Sequence, residues 1–353
     1  MTTFESPDMN HTVDTASETG ISGARHANRS LMSHTLAEFA GSFLICLSIY
    51  LICSFGTSIY NVNMAFIALG IGVTYAAVTM LLSNITAGQF NPAVTIAAML
   101  TSKTRLLDGV LYIVAQLIGA IGAGAVVRFL MPTSEQITRK VWLTPAINGF
   151  ENGSVAYQTV NQVGISFGIV LAIVVEVIAA VLIVGMAMRS MDDDGQASHD
   201  YALAMGAAYG IGAAITYPVT GAALNPARAT GIAVFAQGQG LNVEPLGQLW
   251  VFWVCPILGA AVVSLVMIIA QMAQDTHVRK PAQVAVAALG DVTTADGDNV
   301  SAAPIASADV HEAANNDGSE QIPFDNSAHQ RDDEERDEQA NTQSNTDEGV
   351  ERH

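Results

Sequence analysis

The sequence predicts an all-α membrane protein: six transmembrane helices and two re-entrant half-helices, arranged as an inverted repeat. Three observations carry that prediction. Six apolar runs are each long enough to cross a hydrocarbon core as a helix. Two further apolar segments are too short to cross, and each begins at an Asn-Pro-Ala. A glutamate stands in the first long run and another in the fourth, at similar distances from those motifs. Glu38 precedes Asn91 by 53 residues and Glu176 precedes Asn225 by 49.

Composition agrees. Half of the 353 residues are hydrophobic and only 13% are charged, and mean hydropathy is +0.36. An ordinary soluble domain is more polar than this. The formal charge of −18 is nonetheless large. It is concentrated at one end: from Pro281 to His353 seventeen Asp and Glu face only Arg331, Arg336 and Arg352. Three regions follow. Residues 1–33 read as a polar cytoplasmic arm, with the first span doubling as an uncleaved insertion signal. Residues 34–274 read as the membrane domain, with repeats at about 34–130 and 160–272. Residues 275–353 read as an acidic cytoplasmic tail, too poor in apolar side chains to fold.

The long runs are Thr35–Phe55, Asn63–Leu82, Leu106–Phe129, Gln162–Met188, Tyr201–Tyr217 and Leu246–Met272. The short ones are Pro92–Leu100 and Pro226–Ala236. A half-helix that dips into a membrane is tolerated only where protein or a water-filled cavity covers its bared backbone. Arg25, Arg29, Lys103, Arg105, Arg189, Arg279 and Lys280 flank one side of the spans. Arg128, Arg139 and Lys140 flank the other. The excess marks the cytoplasmic side, so both termini are expected there and the segment Met131–Gln162 outside. Three spans separate the matching points of the two halves, so the second copy runs inverted.

The doubled motif has a chemical reading. Asn is a strong N-cap, its side-chain oxygen accepting a first-turn backbone N–H. Proline suits the first helical position, where its missing N–H is no loss. Asn91-Pro92-Ala93 and Asn225-Pro226-Ala227 therefore start helices. With each Asn oxygen engaged, the amide NH2 is expected to point away, toward a passing oxygen atom. Two half-helices entering from opposite faces bring two partly positive N-termini together, which repels cations and protons but not a neutral molecule with a lone pair.

Little else suggests chemistry. Cys46, Cys53 and Cys255 all lie in apolar runs, without disulfide or CxxC spacing. The histidines lie in the arm, the tail, or at span edges and short loops, such as His34 and His199. No metal site, cofactor or catalytic constellation is expected, and the chain is not read as an enzyme.

These residues resemble the major intrinsic protein family, the aquaporins and glycerol facilitators. The resemblance runs from about Leu36 to Ile269. Beyond the doubled motif it includes AEFAGSF around Glu38, AQLIGA around Gln116, VVEV around Glu176 and QLWVFWVCPILGA around Pro256. It implies an aquaporin-like fold and a homotetramer of separate pores in the plasma membrane. It implies that water and small neutral solutes pass, with lipid around the protein and no nucleic-acid partner. It also implies that Glu38 and Glu176 hydrogen-bond the loops carrying the motifs.

The family's second constriction maps, counting from the motifs without gaps, onto Ile71, Ala213, Ala222 and Arg228. A fixed guanidinium there donates hydrogen bonds and repels cations. The other three depart from the water-channel pattern of an aromatic and a histidine, and from the two aromatics of glycerol facilitators. Aliphatic side chains leave a wider, less polar gate. Ala229, Ala233 and Phe252-Trp253 instead resemble the water branch. Gln89 stands where many members carry His. Gly119, Ala120, Ala123, Gly124, Gly259 and Ala260 are small and let membrane helices approach closely. Alternatives stay open: a facilitator of glycerol or other solutes, a transporter using Glu38 or Glu176 as proton carrier, and a scaffold acting through the acidic tail.

Overall fold

Hydropathy and capping together set the element order. The computed structural model describes residues 11–151, 154, 164–165, 167–241 and 244–293, with backbone alone for 11–29 and 275–293. The elements are α1 (His11–Ser58), α2 (Met64–Leu82), α3 (Pro92–Leu100), α4 (Leu106–Leu130) and α5 (Arg139–Ala146). They continue with α6 (Ile169–Arg189), α7 (Tyr201–Thr220), α8 (Pro226–Ala236), α9 (Pro245–Gln248) and α10 (Val251–Thr293). Six helical segments among the described residues are long and apolar enough to cross a membrane: Ser30–Ser58, Met64–Leu82, Leu106–Leu130, Ile169–Arg189, Tyr201–Thr220 and Pro245–Gln274.

Local signals explain the boundaries. Asn63 caps α2 by accepting from Phe66 N at 2.9 Å. The half-helices α3 and α8 start at Pro92 and Pro226, each behind a capping Asn. Both have the bounds expected from sequence. Gly221, at φ 76°, ends α7 in the left-handed conformation that frees the chain to turn back toward α8.

Three boundaries differ from expectation. The backbone of α1 is continuous from His11 into the first span, rather than beginning near residue 34. No proline between Pro7 and Pro92 interrupts it. The fourth span begins at Ile169 rather than Gln162. The backbone of α10 continues past Pro281 to Thr293, because Ala282–Leu289 is rich in strong helix formers. The remainder of the acidic tail, residues 294–353, lies outside the described residues, as do residues 1–10 of the arm. The chain divides into two units, residues 1–286 and 287–353.

Within the first unit α1 packs on α4, α2 on α7, α6 on α7, and α4 on α8. Small residues allow the close approaches. A Cβ on Gly72 of α2 would lie 2.6 Å from Gly206 O of α7, and one on Gly259 of α10 would lie 2.6 Å from Ala180 Cβ of α6. Gly124 of α4 meets Gly231 O of α8 just as tightly. The burial pattern is inverted relative to a soluble protein. Glu38, Asn91, Gln116, Glu176, Asn225 and Arg228 are buried, while Leu69, Val73, Met80, Val170 and Leu203 are exposed. An apolar exterior of this extent suits hydrocarbon.

Candidate functional site

The two loops that precede α3 and α8 are built alike. Each runs through backbone conformations that side chains rarely adopt. Gly88 and Phe90 have φ of 74° and 46° before Asn91, and Ala222 and Leu224 have φ of 56° and 57° before Asn225. Such backbone persists only where its surroundings over-determine it. A buried glutamate does this in each half. Glu38 Oε1 accepts from Thr86 Oγ1 at 2.9 Å and Gln89 N at 3.0 Å. Its Oε2 accepts from Phe90 N at 2.7 Å and Gln116 Nε2 at 2.8 Å. Glu176 Oε1 accepts from Thr220 Oγ1 at 2.5 Å and Ala223 N at 3.3 Å, and its Oε2 from Leu224 N at 3.1 Å. Thr86 and Thr220 stand five residues before their respective Asn, a repeat signal that the sequence reading did not use.

Each Asn caps its half-helix. Asn91 Oδ1 accepts from Ala93 N at 2.9 Å, and Asn225 Oδ1 from Ala227 N at 2.9 Å and Arg228 N at 3.3 Å. The loops then cross-link. Asn91 Nδ2 donates to Leu224 O at 3.0 Å, and Asn225 Nδ2 to Phe90 O at 2.7 Å. This brings the two helix N-termini together. The expected free amide hydrogens are not free, however. Asn91 Nδ2 also donates to Tyr209 Oη at 2.7 Å, and Asn225 Nδ2 to Tyr75 Oη at 3.0 Å. The reason is the presence of a phenol in α2 and another in α7, each long enough to reach across to the opposite loop.

Ile71, Ala213 and Ala222 are buried in one apolar cluster that also contains Cys53. Arg228 reaches that cluster through Nη2, which donates to Gly221 O at 3.2 Å and contacts Cys53 Sγ at 3.8 Å. Its Nη1 donates to Asn148 Oδ1. Asn148 is itself fixed by donating from Nδ2 to Gly221 O at 2.9 Å and Thr220 O at 3.2 Å. Tyr50 supports the same residue twice. Its hydroxyl donates to Arg228 O at 2.6 Å and its ring lies 5.8 Å from the guanidinium carbon. Arg228 Nε has no hydrogen-bond partner among the described residues. Sequence reasoning named Arg228 but missed Asn148 and Tyr50, whose only local cues are an Asn-Gly pair and an aromatic in a span.

At the end of the molecule where α1 enters its span lies a cavity of about 610 Å³, lined by His34, Gln89, Lys103, Arg105, Asp108 and Asp194 among others. Gln89 Nε2 donates to Thr104 Oγ1 at 2.7 Å, tying the first loop to the connection between α3 and α4. Lys103 is buried, and its Nζ donates to Met191 O at 3.0 Å and Asp192 O at 2.6 Å. Its contact with Asp193 Oδ1, at 3.6 Å, is solvent-exposed on the carboxylate side and adds little.

Fold and site together define a multi-pass membrane protein made of two inverted halves, whose capped half-helices meet in its interior. The family model described as "Major intrinsic protein" matches residues 25–267. The chain belongs to the major intrinsic protein family. It is similar to Aquaporin Z of Photorhabdus laumondii subsp. laumondii, at 30% identity over 234 residues, 64% of this chain and 92% of that protein. It is similar to Aquaporin Z of Brucella melitensis biotype 1, at 28% identity over 245 residues, 67% and 96% of the two chains. Among solved structures, the aquaglyceroporin from Plasmodium falciparum shares the fold, with a TM-score of 0.50 at 18% identity, covering 67% of this chain and 94% of that one.

Proposed function

We propose that the chain is a passive channel for water and other small neutral solutes that excludes protons and ions, and that it acts in the plasma membrane. One observation carries this reading: the mutual hydrogen bonds of Asn91 with Leu224 O and Asn225 with Phe90 O, which hold two helix N-termini face to face. Two opposed positive helix ends oppose a cation or a proton and admit a neutral molecule. Arg228, buried and braced by Asn148 and Gly221 O, adds a fixed positive charge. Ile71, Ala213, Ala222 and Arg228 form the outer filter, with Asn91 and Asn225 at the centre. Glu38 and Glu176 hold the loops. Each carboxyl receives donors from a loop that must keep its shape, which suits a brace and leaves a proton carrier little freedom.

Both termini are cytoplasmic and four copies assemble, each with its own path. The positive charge around the spans and the family likeness support these two points. The aliphatic filter favours a second reading, a facilitator of glycerol or similar solutes. Stopped-flow light scattering on proteoliposomes separates the two. Osmotic water flux above that of empty liposomes is expected, whereas glycerol uptake exceeding water flux relative to that background would favour the facilitator. Flux of neither above the background would overturn the channel reading.

A further inference from the structure

Tyr75 and Tyr209 are repeat-equivalent. Tyr75 stands sixteen residues before Asn91, and Tyr209 stands sixteen before Asn225. Both are buried, in α2 and α7. Their rings stack, with centroids 3.2 Å apart and planes 4° from parallel. Each hydroxyl crosses to the other half's Asn, Tyr209 to Asn91 and Tyr75 to Asn225. An amide NH2 carries two hydrogens. In both Asn residues one hydrogen goes to a loop carbonyl and the other to a phenol. A permeant oxygen can use neither until a phenol leaves.

The rings also lie on the face that lines the path. Ile71 is one helical turn before Tyr75, and Ala213 is one turn after Tyr209. The stack therefore sits one turn inward from the aliphatic filter, at the level of the two Asn caps. Two packed tyrosines could serve stability alone. Stability alone does not call for both hydroxyls to occupy the two amide donors on which a passing solute depends.

We propose that Tyr75 and Tyr209 form the permeation-limiting constriction of this chain. The stacked rings close the path at the midplane, and water passes only when a hydroxyl leaves its Asn and the rings part. The outer filter of Ile71, Ala213, Ala222 and Arg228 then screens solutes without setting the rate. This inference rests on the channel reading.

The test is osmotic water permeability of proteoliposomes holding the full chain, measured across a range of temperatures. The variants are Tyr75→Phe, Tyr209→Phe, Tyr75→Val and Tyr209→Val. Elution profile and thermal transition in detergent identify variants that fold. The phenylalanine variants keep the ring packing and remove only the hydroxyl, so they report even if a valine variant fails to fold. Wild type should conduct above empty liposomes but slowly, with a steep temperature dependence. Each phenylalanine variant should gain roughly fivefold, the population factor for one buried hydrogen bond that no longer has to open. Each valine variant should gain more than about tenfold, since the ring that fills the space is removed along with the hydroxyl, and its temperature dependence should flatten. Folded variants that conduct no faster than wild type, with the same temperature dependence, would overturn the midplane constriction while leaving the channel reading intact. Wild type and every folded variant no more permeable than empty liposomes would overturn both.

Discussion

The braces of the two loops are unequal, and that inequality yields a quantitative prediction for Glu38→Gln against Glu176→Gln. Glu38 receives two donors on each oxygen, from Thr86 Oγ1 and Gln89 N on one and Phe90 N and Gln116 Nε2 on the other. A glutamine must turn its NH2 toward one pair. Facing Thr86 it can donate to Oγ1, since a hydroxyl also accepts. The bond from Gln89 N in a strained loop is then lost, and the three that remain fall to the strength of bonds to a neutral group. Bonds to a charged acceptor contribute about 1.5–3 kcal/mol each. Burying a neutral group in place of a carboxylate offsets part of that loss. The net cost of Glu38→Gln is then about 2–4 kcal/mol. Glu176 receives two donors on Oε1 but a single one, Leu224 N, on Oε2. Its glutamine can turn the NH2 toward Leu224 and keep the other two bonds, at a net cost of about 1–2 kcal/mol. Thermal unfolding of the detergent-solubilised protein, followed by tryptophan fluorescence, should rank the transitions wild type, Glu176→Gln, Glu38→Gln in falling order. A reversed order would refute the bracing argument. So would unaltered stability in both variants with flux newly insensitive to a proton gradient, which is the signature of a proton carrier.

Other outcomes follow from the same geometry. Asn148→Ala removes the acceptor of Arg228 Nη1 and two donors to the turn after α7, so it should cost about 1–3 kcal/mol and raise uptake of urea and glycerol relative to water in proteoliposomes. Ala213→His places a ring in the aliphatic cluster and should reduce glycerol flux more than water flux; equal loss of both would argue against Ala213 as a filter position. Lys103→Met removes the donor that ties Met191 O and Asp192 O, and amide exchange at residues 192–196 should quicken by roughly tenfold, with exchange in α3 unchanged.

Much of this architecture was legible residue by residue. The half-helices α3 and α8 begin and end where the sequence reading set them, because an Asn-Pro start is a local event completed within one turn. The spans follow from runs of apolar residues for the same reason. The short helix α5 escaped notice because Arg139, Lys140 and Pro145 crowd its eight residues, so its pattern is neither apolar nor long. The asymmetry of the two glutamate braces was equally hidden, since Gln116 comes from α4 and no single segment reveals that it turns toward Glu38.

The sequence by itself determined the six spans and two half-helices seen among the described residues and their repetition in inverted order, and it singled out the Asn, Glu and Arg residues proposed for the path. Hydropathy, capping and proline placement act over a few residues, so no distant partner is needed to read them. Only the tertiary structure decided what those residues touch. Tyr209 meets Asn91 across 118 positions, Tyr75 meets Asn225 across 150, and Asn148 meets Arg228 across 80. A phenol sixteen residues before a capping Asn is an ordinary buried aromatic until helix packing sets its angle and reach. Packing then turned two such residues into a facing pair that takes one amide hydrogen from each capping Asn.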